Sequence, residues 1–132
     1  MKINHVGYAV KNLEKAKDLF KGLGFLFEEK VYNDSDRNLF ITFGSDGNYR
    51  IELLQKMNNS LPSPIDIFIQ KNGPIPYHFC YSVANIEEGI NDLKENGFIV
   101  INEPAPAIAF NNKKVCFLYN RSIGIIELVE EV

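Results

Sequence analysis

Cysteine is scarce in this chain, and the two present, Cys80 and Cys116, show no C-x-x-C spacing. A disulfide framework and a thiolate metal site are both excluded on that ground. No run of lysine or arginine is longer than two residues, and 14 basic residues face 17 acidic ones for a formal net charge of −3. A surface built to neutralise nucleic-acid phosphates or anionic lipid needs a lopsided basic face, so neither a nucleic acid nor a membrane is an expected partner. No apolar stretch approaches the ~20 residues that span a bilayer. The chain opens on strand-like alternation, MKINHVGYAV, rather than on a basic stretch and an apolar run. No secretory leader is therefore expected, and a cytoplasmic location is. What is present is ordinary: 132 residues, 45% hydrophobic and 23% charged, enough apolar mass for the core of one globular domain.

The sequence repeats itself. Asn4 to Phe25 (NHVGYAVKNLEKAKDLFKGLGF) lies over Tyr77 to Phe98 (YHFCYSVANIEEGINDLKENGF) at a constant offset of 73, with His5/His78, Tyr8/Tyr81, Val10/Val83, Asn12/Asn85, Glu14/Glu87, Lys21/Lys94, Gly24/Gly97 and Phe25/Phe98 identical. A second block, Ile51-Glu52-Leu53-Leu54 over Ile126-Glu127-Leu128-Val129, follows at an offset of 75. Two blocks in the same order argue for a duplicated unit of about sixty residues.

Each unit has the same organisation. Residues 3–10 alternate, with Val6, Tyr8 and Val10 on one face and His5, Gly7 and Ala9 on the other, which predicts a strand. Asn12 stands at a helix N-cap position, Leu13, Ala16, Leu19, Phe20 and Leu23 follow at helical spacing, and Gly24 is a natural stop. In the second unit Asn85 and Glu88 form a capping-box pair, Ile86, Ile90 and Leu93 make the stripe, and Gly97 ends it. Strand candidates follow at Phe25–Tyr32, Leu39–Phe43 and Tyr49–Leu54, then at Phe98–Ile101, Lys114–Tyr119 and Gly124–Val129. The pattern is β-α-β-β-β twice, in modules 1–56 and 75–132 of a single domain, with a connector at 57–74 where Pro64 can open a short helix carrying Ile65, Phe68 and Ile69. The stretch Glu103 to Asn112 (EPAPAIAFNN) reads as a proline-punctuated loop.

The duplication places a histidine on each first strand and a glutamate on each last one: His5 with Glu52, His78 with Glu127. They are the chain's two histidines, at equivalent positions. If the halves pack about a pseudo-twofold, two imidazoles and two carboxylates meet in one cavity. Buried carboxylates are costly unless paired or bound to a cation, and imidazole with carboxylate suits nickel, cobalt, zinc, iron or manganese. Small neighbours on those faces, Gly7 and Ala9 beside His5, Cys80 and Ser82 beside His78, leave room for a ligand. Four protein ligands with space for water make an open, Lewis-acidic site.

With these paired segments, H-x-G-x-x-V in the first half and H-x-C-x-x-V in the second, each followed by I-E-L, the chain resembles, over nearly its whole length, the vicinal oxygen chelate superfamily. That superfamily includes glyoxalase I, methylmalonyl-CoA epimerase, ring-cleaving dioxygenases and the fosfomycin and bleomycin resistance proteins. The resemblance implies an α+β fold of two β-α-β-β-β modules forming a half-open, eight-stranded barrel around one metal. His5, Glu52, His78 and Glu127 match the family's four ligand positions, a pattern shared by glyoxalase I and the epimerase. It implies one divalent ion (nickel, cobalt or zinc), Glu127 as the base with Glu52 able to act on the opposite face, and a homodimer. NYRIELLQ and the EPAPAI…NKKVCFLY stretch lean towards glyoxalase I, so a glyoxalase I-like lyase is the first reading and methylmalonyl-CoA epimerase the alternative. Asn120-Arg121-Ser122-Ile123-Gly124 stands where many relatives carry D-P-D-G or D-P-N-G.

Both activities move a proton on carbon next to a carbonyl of a thiol-derived substrate, a glutathione adduct or an acyl-CoA. Either carrier brings oxyanions that want Arg or Lys near the mouth. Arg50 shares the Glu52 face and is the candidate, ahead of Arg37, Lys113, Lys114 and Arg121 on loops or strand ends. An epimerase base outside the ligand set would fall to Asp34 or Asp36. Other classes remain: a ring-cleaving dioxygenase, which a fourth protein ligand would crowd; a fosfomycin-type thiol transferase, which lacks the first glutamate; and an antibiotic-binding protein, which needs no metal ligands.

Overall fold

Alternation at the N-terminus becomes strand β1 (Lys2–Ala9), in which His5, Gly7 and Ala9 are buried. The computed structural model describes residues 1–131 and divides the chain into two compact units, His5–Tyr77 and Met1–Asn4 with the chain from His78 onward. Among the described residues there are ten strands and three α-helices.

In the His5–Tyr77 unit β1 leads into α1 (Leu13–Gly22), β2 (Leu26–Phe27), β3 (Tyr32–Asp34), β4 (Leu39–Ser45), β5 (Arg50–Lys56) and α2 (Asp66–Asn72). The α1 crossover returns the chain so that β5 pairs parallel to β1, with Gly7 opposite Glu52, and β4 pairs antiparallel to β5. Asn12 caps α1 by accepting from the Lys15 N–H at 3.0 Å, and Gln55 on β5 accepts from the Leu13 N–H at 2.7 Å. Helix α1 ends in a Schellman motif: Phe25 N bonds to Phe20 O, Gly24 N bonds to Lys21 O, and Gly24 sits at φ 101. The Phe20 and Phe25 rings then meet edge to face at 5.5 Å. These rings and Tyr8 join Val10, Leu13, Ile51 and Leu53 in a core between α1 and one sheet face. The helical stripe is narrower than its spacing suggests. Leu13, Ala16 and Phe20 share an arc of about 60°, whereas Leu19 lies outside it and Leu23 is the cap residue, and both are exposed.

The second unit repeats this plan with β6 (Ile75–Val83), α3 (Ile86–Glu95), β7 (Ile99–Val100), β8 (Ala105–Ala107), a 3-10 turn (Ile108–Phe110), β9 (Lys113–Asn120) and β10 (Gly124–Glu130). Strand β10 pairs parallel to β6, with Glu127 opposite Cys80, and antiparallel to β9. Asn85 accepts from Glu88 N at 3.0 Å, while Glu130 accepts from Ile86 N at 2.9 Å, as Gln55 does for Leu13. Ile86, Ile90, Cys116, Leu118, Ile126 and Leu128 form this unit's core. Asn4 donates to Ser82 (3.0 Å) and Glu131 (3.2 Å), tying the start of β1 to it.

The α+β class and the order of elements agree with the sequence reading. The second strand of each repeat, however, is interrupted, so ten segments stand where eight were expected. Glu28, Glu29, Lys30 and Val31 separate β2 from β3, and both strands pair with β4. In the other unit the stretch read as a loop contains β8, an edge strand on β9. Pro106 has no N–H to donate, which an edge position tolerates. The turn that replaces D-P-D-G is built by Asn120, whose side chain accepts from Ser122 N at 2.9 Å ahead of Gly124 at φ 88. In the connector the helix begins at Asp66, whose carboxylate accepts from Ser63 N at 3.0 Å and pairs with Lys56 at 3.0 Å. Burial raises the Asp66 carboxyl, but the Ser63 N–H and the Lys56 ammonium outweigh it and hold the group below its ordinary value.

Asn85→Ala should cost about 1 kcal/mol, the usual value of an N-cap, read as a lower urea midpoint with unchanged m. The Asp66 contribution is present above the unfolded carboxyl pKa of about 3.9 and disappears as pH falls through the lower folded value. Asp66→Asn should therefore be less stable than wild type at pH 7, with the gap closing at pH 3 in parallel urea titrations.

Candidate metal centre

Within the His5–Tyr77 unit, His5 on β1 and Glu52 on β5 are 1% and 3% exposed, and His5 Nε2 lies 3.3 Å from Glu52 Oε1. In the other unit His78 on β6 and Glu127 on β10 are 3% and 4% exposed, with Nε2 to Oε1 at 3.2 Å. The parallel ladders explain both pairs. Each glutamate stands opposite a small residue, Gly7 for Glu52 and Cys80 for Glu127, two residues beyond the histidine on the same strand. The carboxylate is left room to reach the imidazole.

The sequence reading missed one feature of each pair. Phe43 stands opposite Glu52 on β4 and meets His5 nearly edge to face, with ring centroids 5.6 Å apart and planes at 75°. Phe117 does the same for Glu127 and His78, at 5.3 Å and 85°. Such contacts fix the imidazole plane and keep water from it. The signal was available: the two phenylalanines stand at an offset of 74, between those of the two matched blocks.

An imidazole nitrogen lone pair 3.2–3.3 Å from a buried carboxylate oxygen is repulsive unless a proton or a cation stands between them. The spacing also fits metal ligation. Two ligands bound at ~2.0–2.2 Å and separated by roughly a right or tetrahedral angle lie about 3.0–3.5 Å apart. His5, Glu52, His78 and Glu127 are all buried and have the donor chemistry to hold a metal ion.

The remaining candidates fall into place singly. Arg50 lies with its guanidinium 4.1 Å over the Phe43 ring and 3.8 Å from Glu28. Asp34 is occupied by Arg37, accepting from its N–H at 3.2 Å and its guanidinium at 2.9 Å; Asp36 is exposed. Lys113 pairs with Glu131 at 3.7 Å. Tyr8 and Tyr81 pack into the helix-side cores, consistent with structural roles. Cys80 is buried, and burial pushes the Cys116 thiol up to about 11, so that it stays neutral and donates to Asn102 O at 3.2 Å.

A family model described as the glyoxalase/bleomycin resistance protein/dioxygenase superfamily matches residues 4–117. The chain belongs to this superfamily. It is 35% identical over 132 residues to the mitochondrial methylmalonyl-CoA epimerase of Bos taurus, covering 96% of this chain and 73% of that protein. It is 31% identical to the ethylmalonyl-CoA/methylmalonyl-CoA epimerase of Cereibacter sphaeroides, covering 99% and 98%. A solved structure of a hypothetical protein from Bacillus halodurans matches with a TM-score of 0.85 at 32% identity, covering 99% of this chain and 94% of that one. The two curated relatives bear the epimerase name, the alternative to glyoxalase I in the sequence reading.

Metal binding to the folded state alone stabilises it, by about 2.7 kcal/mol at one hundred times the dissociation constant. Chelator-treated protein should therefore gain thermal stability when nickel, cobalt or zinc is added. His5→Ala and His78→Ala should each lose most of that gain, read by calorimetry.

Proposed function

We propose that the chain is a metal-dependent isomerase that epimerises a methylmalonyl-type acyl-CoA, with His5, Glu52, His78 and Glu127 holding one divalent cation. The observation that carries this reading is the identity to curated epimerases over nearly the full chain, in a protein that keeps a buried histidine–glutamate pair in each half. Nickel, cobalt and zinc all suit the donor set. When bound, such an ion supplies Lewis acidity at the thioester carbonyl and lowers the cost of the enolate.

The chain's own residues do the rest. Epimerisation takes a proton from one face of a carbon and returns one to the other face, which calls for two acid–base groups. The duplication supplies two carboxylates, Glu127 to remove the proton and Glu52 to serve the opposite face. Their burial keeps water from competing at the enolate carbon. Phe43 and Phe117 hold the imidazoles in place and so keep the carboxylates in register with the substrate.

The glyoxalase I reading uses the same donor set and the same proton chemistry, with the proton returned to the neighbouring carbon of a glutathione adduct. A homodimer, the common assembly in the resembled families, and a cytoplasmic location complete the proposal. Sedimentation and cell fractionation test these two points.

Deuterium exchange at C2 of methylmalonyl-CoA, followed by NMR beside turnover of the methylglyoxal–glutathione adduct, separates the readings. Exchange on the CoA ester and inertness towards the adduct are expected; the reverse returns the assignment to glyoxalase I. Glu127→Gln should keep the fold and lower turnover by about 10²–10⁴, the range for loss of a general base. Undiminished turnover in that variant removes Glu127 from the mechanism.

A further inference from the structure

The groove beside the first helix of each unit keeps its place in the repeat but changes its chemistry. In the His5–Tyr77 unit it measures about 290 Å³ and lies wholly within that unit. Tyr8 and Phe20, an edge-to-face pair 5.2 Å apart, line it together with Pro74. Tyr8 belongs to the helix-side core, so the groove is on the opposite sheet face from His5. Leu19, 66% exposed and outside that core, extends the apolar lining. At the start of the helix the exposed Lys11 and Lys15 complete it. Lys15 and Leu19, four residues apart, share one helix face.

At the offset of 73, Ala84, Glu88 and Asp92 stand in place of Lys11, Lys15 and Leu19, and they line the equivalent groove of the other unit, about 270 Å³. Duplication has left one apolar groove with two cations and one polar groove with two anions. The cations of the first are not committed elsewhere. On the same helix Lys17 pairs with Glu14 at 3.9 Å and Lys21 with Asp18 at 3.8 Å, whereas among the described residues no carboxylate is paired with Lys11 or Lys15. Two ammonium groups beside an apolar surface complement an amphipathic anion: its carboxylate meets the cations while its chain covers Tyr8, Phe20 and Leu19. The volume is near the lower end for small-molecule sites, which favours a single acyl chain over a peptide segment.

We infer that the groove beside α1 is a binding site for a free acyl carboxylate, separate from the metal centre and independent of the epimerase reading. Sodium butanoate, hexanoate and octanoate are titrated into the zinc-loaded protein and followed by amide NMR shifts. Each methylene that enters the groove should tighten binding about fourfold. Shifts should centre on Tyr8 and residues 11–20 and be absent from 84–92, and octylammonium should not produce them. The triple variant Lys11→Ala, Lys15→Glu, Leu19→Asp writes the lining of the second groove onto the first. It should weaken octanoate by about tenfold or more, whereas Lys15→Arg, which keeps the charge, should not. All three replaced side chains are exposed, and an unaltered metal-induced thermal shift shows that the variant is folded. Octanoate that binds wild type and the folded triple variant alike overturns the inference, as does octylammonium that binds like octanoate. Wild type indifferent to octanoate also overturns it; attachment to phosphatidylglycerol vesicles in that case reassigns the groove to a membrane surface. None of these outcomes touches the acyl-CoA reading, which stands or falls on the exchange experiment above.

Discussion

Two carboxylates withdrawn from water, Glu52 and Glu127, set the terms on which this chain folds. The idealised cost of moving such an ion into a dry interior is of order 20 kcal/mol, and several kcal/mol per ion survive relaxation. A whole domain retains only ~5–15 kcal/mol of stability. Two buried anions of this kind therefore need positive charge close by. Each has an imidazole nitrogen at 3.2–3.3 Å, where a shared proton or a common cation meets the requirement. Much of the local sequence serves this arrangement: Gly7 and Cys80 opposite the glutamates make space, and Phe43 and Phe117 shield the histidines.

Strand register is in turn coupled to the helices. Three residues beyond each glutamate, Gln55 and Glu130 accept from the first N–H of α1 and α3. A slip of either last strand by one residue would take the glutamate off its face and strip a helix of a cap together. The alternate residues of the same strands, Ile51 and Leu53, Ile126 and Leu128, fill the helix-side cores. One short segment thus sets site, core and cap at once, which explains why I-E-L recurs in both halves.

Duplication also bounds what the protein can do. Paired frames supply two acids and two bases at once, which suits a proton moved between the faces of one carbon. The donor set is common to glyoxalase I and the epimerases, so substrate choice rests on residues around it rather than on the ligands. This is why the I-E-L and histidine motifs led to the superfamily and to proton chemistry without separating its members; NYRIELLQ and EPAPAI…NKKVCFLY carried the lean to glyoxalase I, while the curated relatives carry the name of the alternative.

Periodicity and spacing along the chain were sufficient to show the repeated unit, its strands and capped helices, and the equivalent places of the two histidines and two glutamates that the structure buries in pairs. These are local properties: apolar alternation, an asparagine before a helix and a glycine after it are written within a few residues of one another. The break that shortens the predicted second strands to the two-residue β2 and β7, the edge strand through Pro106, the exposure of Leu19 and the seating of Phe43 and Phe117 against the histidines were not legible in this way. Each depends on a partner strand or helix distant in sequence. A hydrogen-bond ladder or an aromatic contact acquires its geometry only when two such segments come into register, and that register was decided by the tertiary structure.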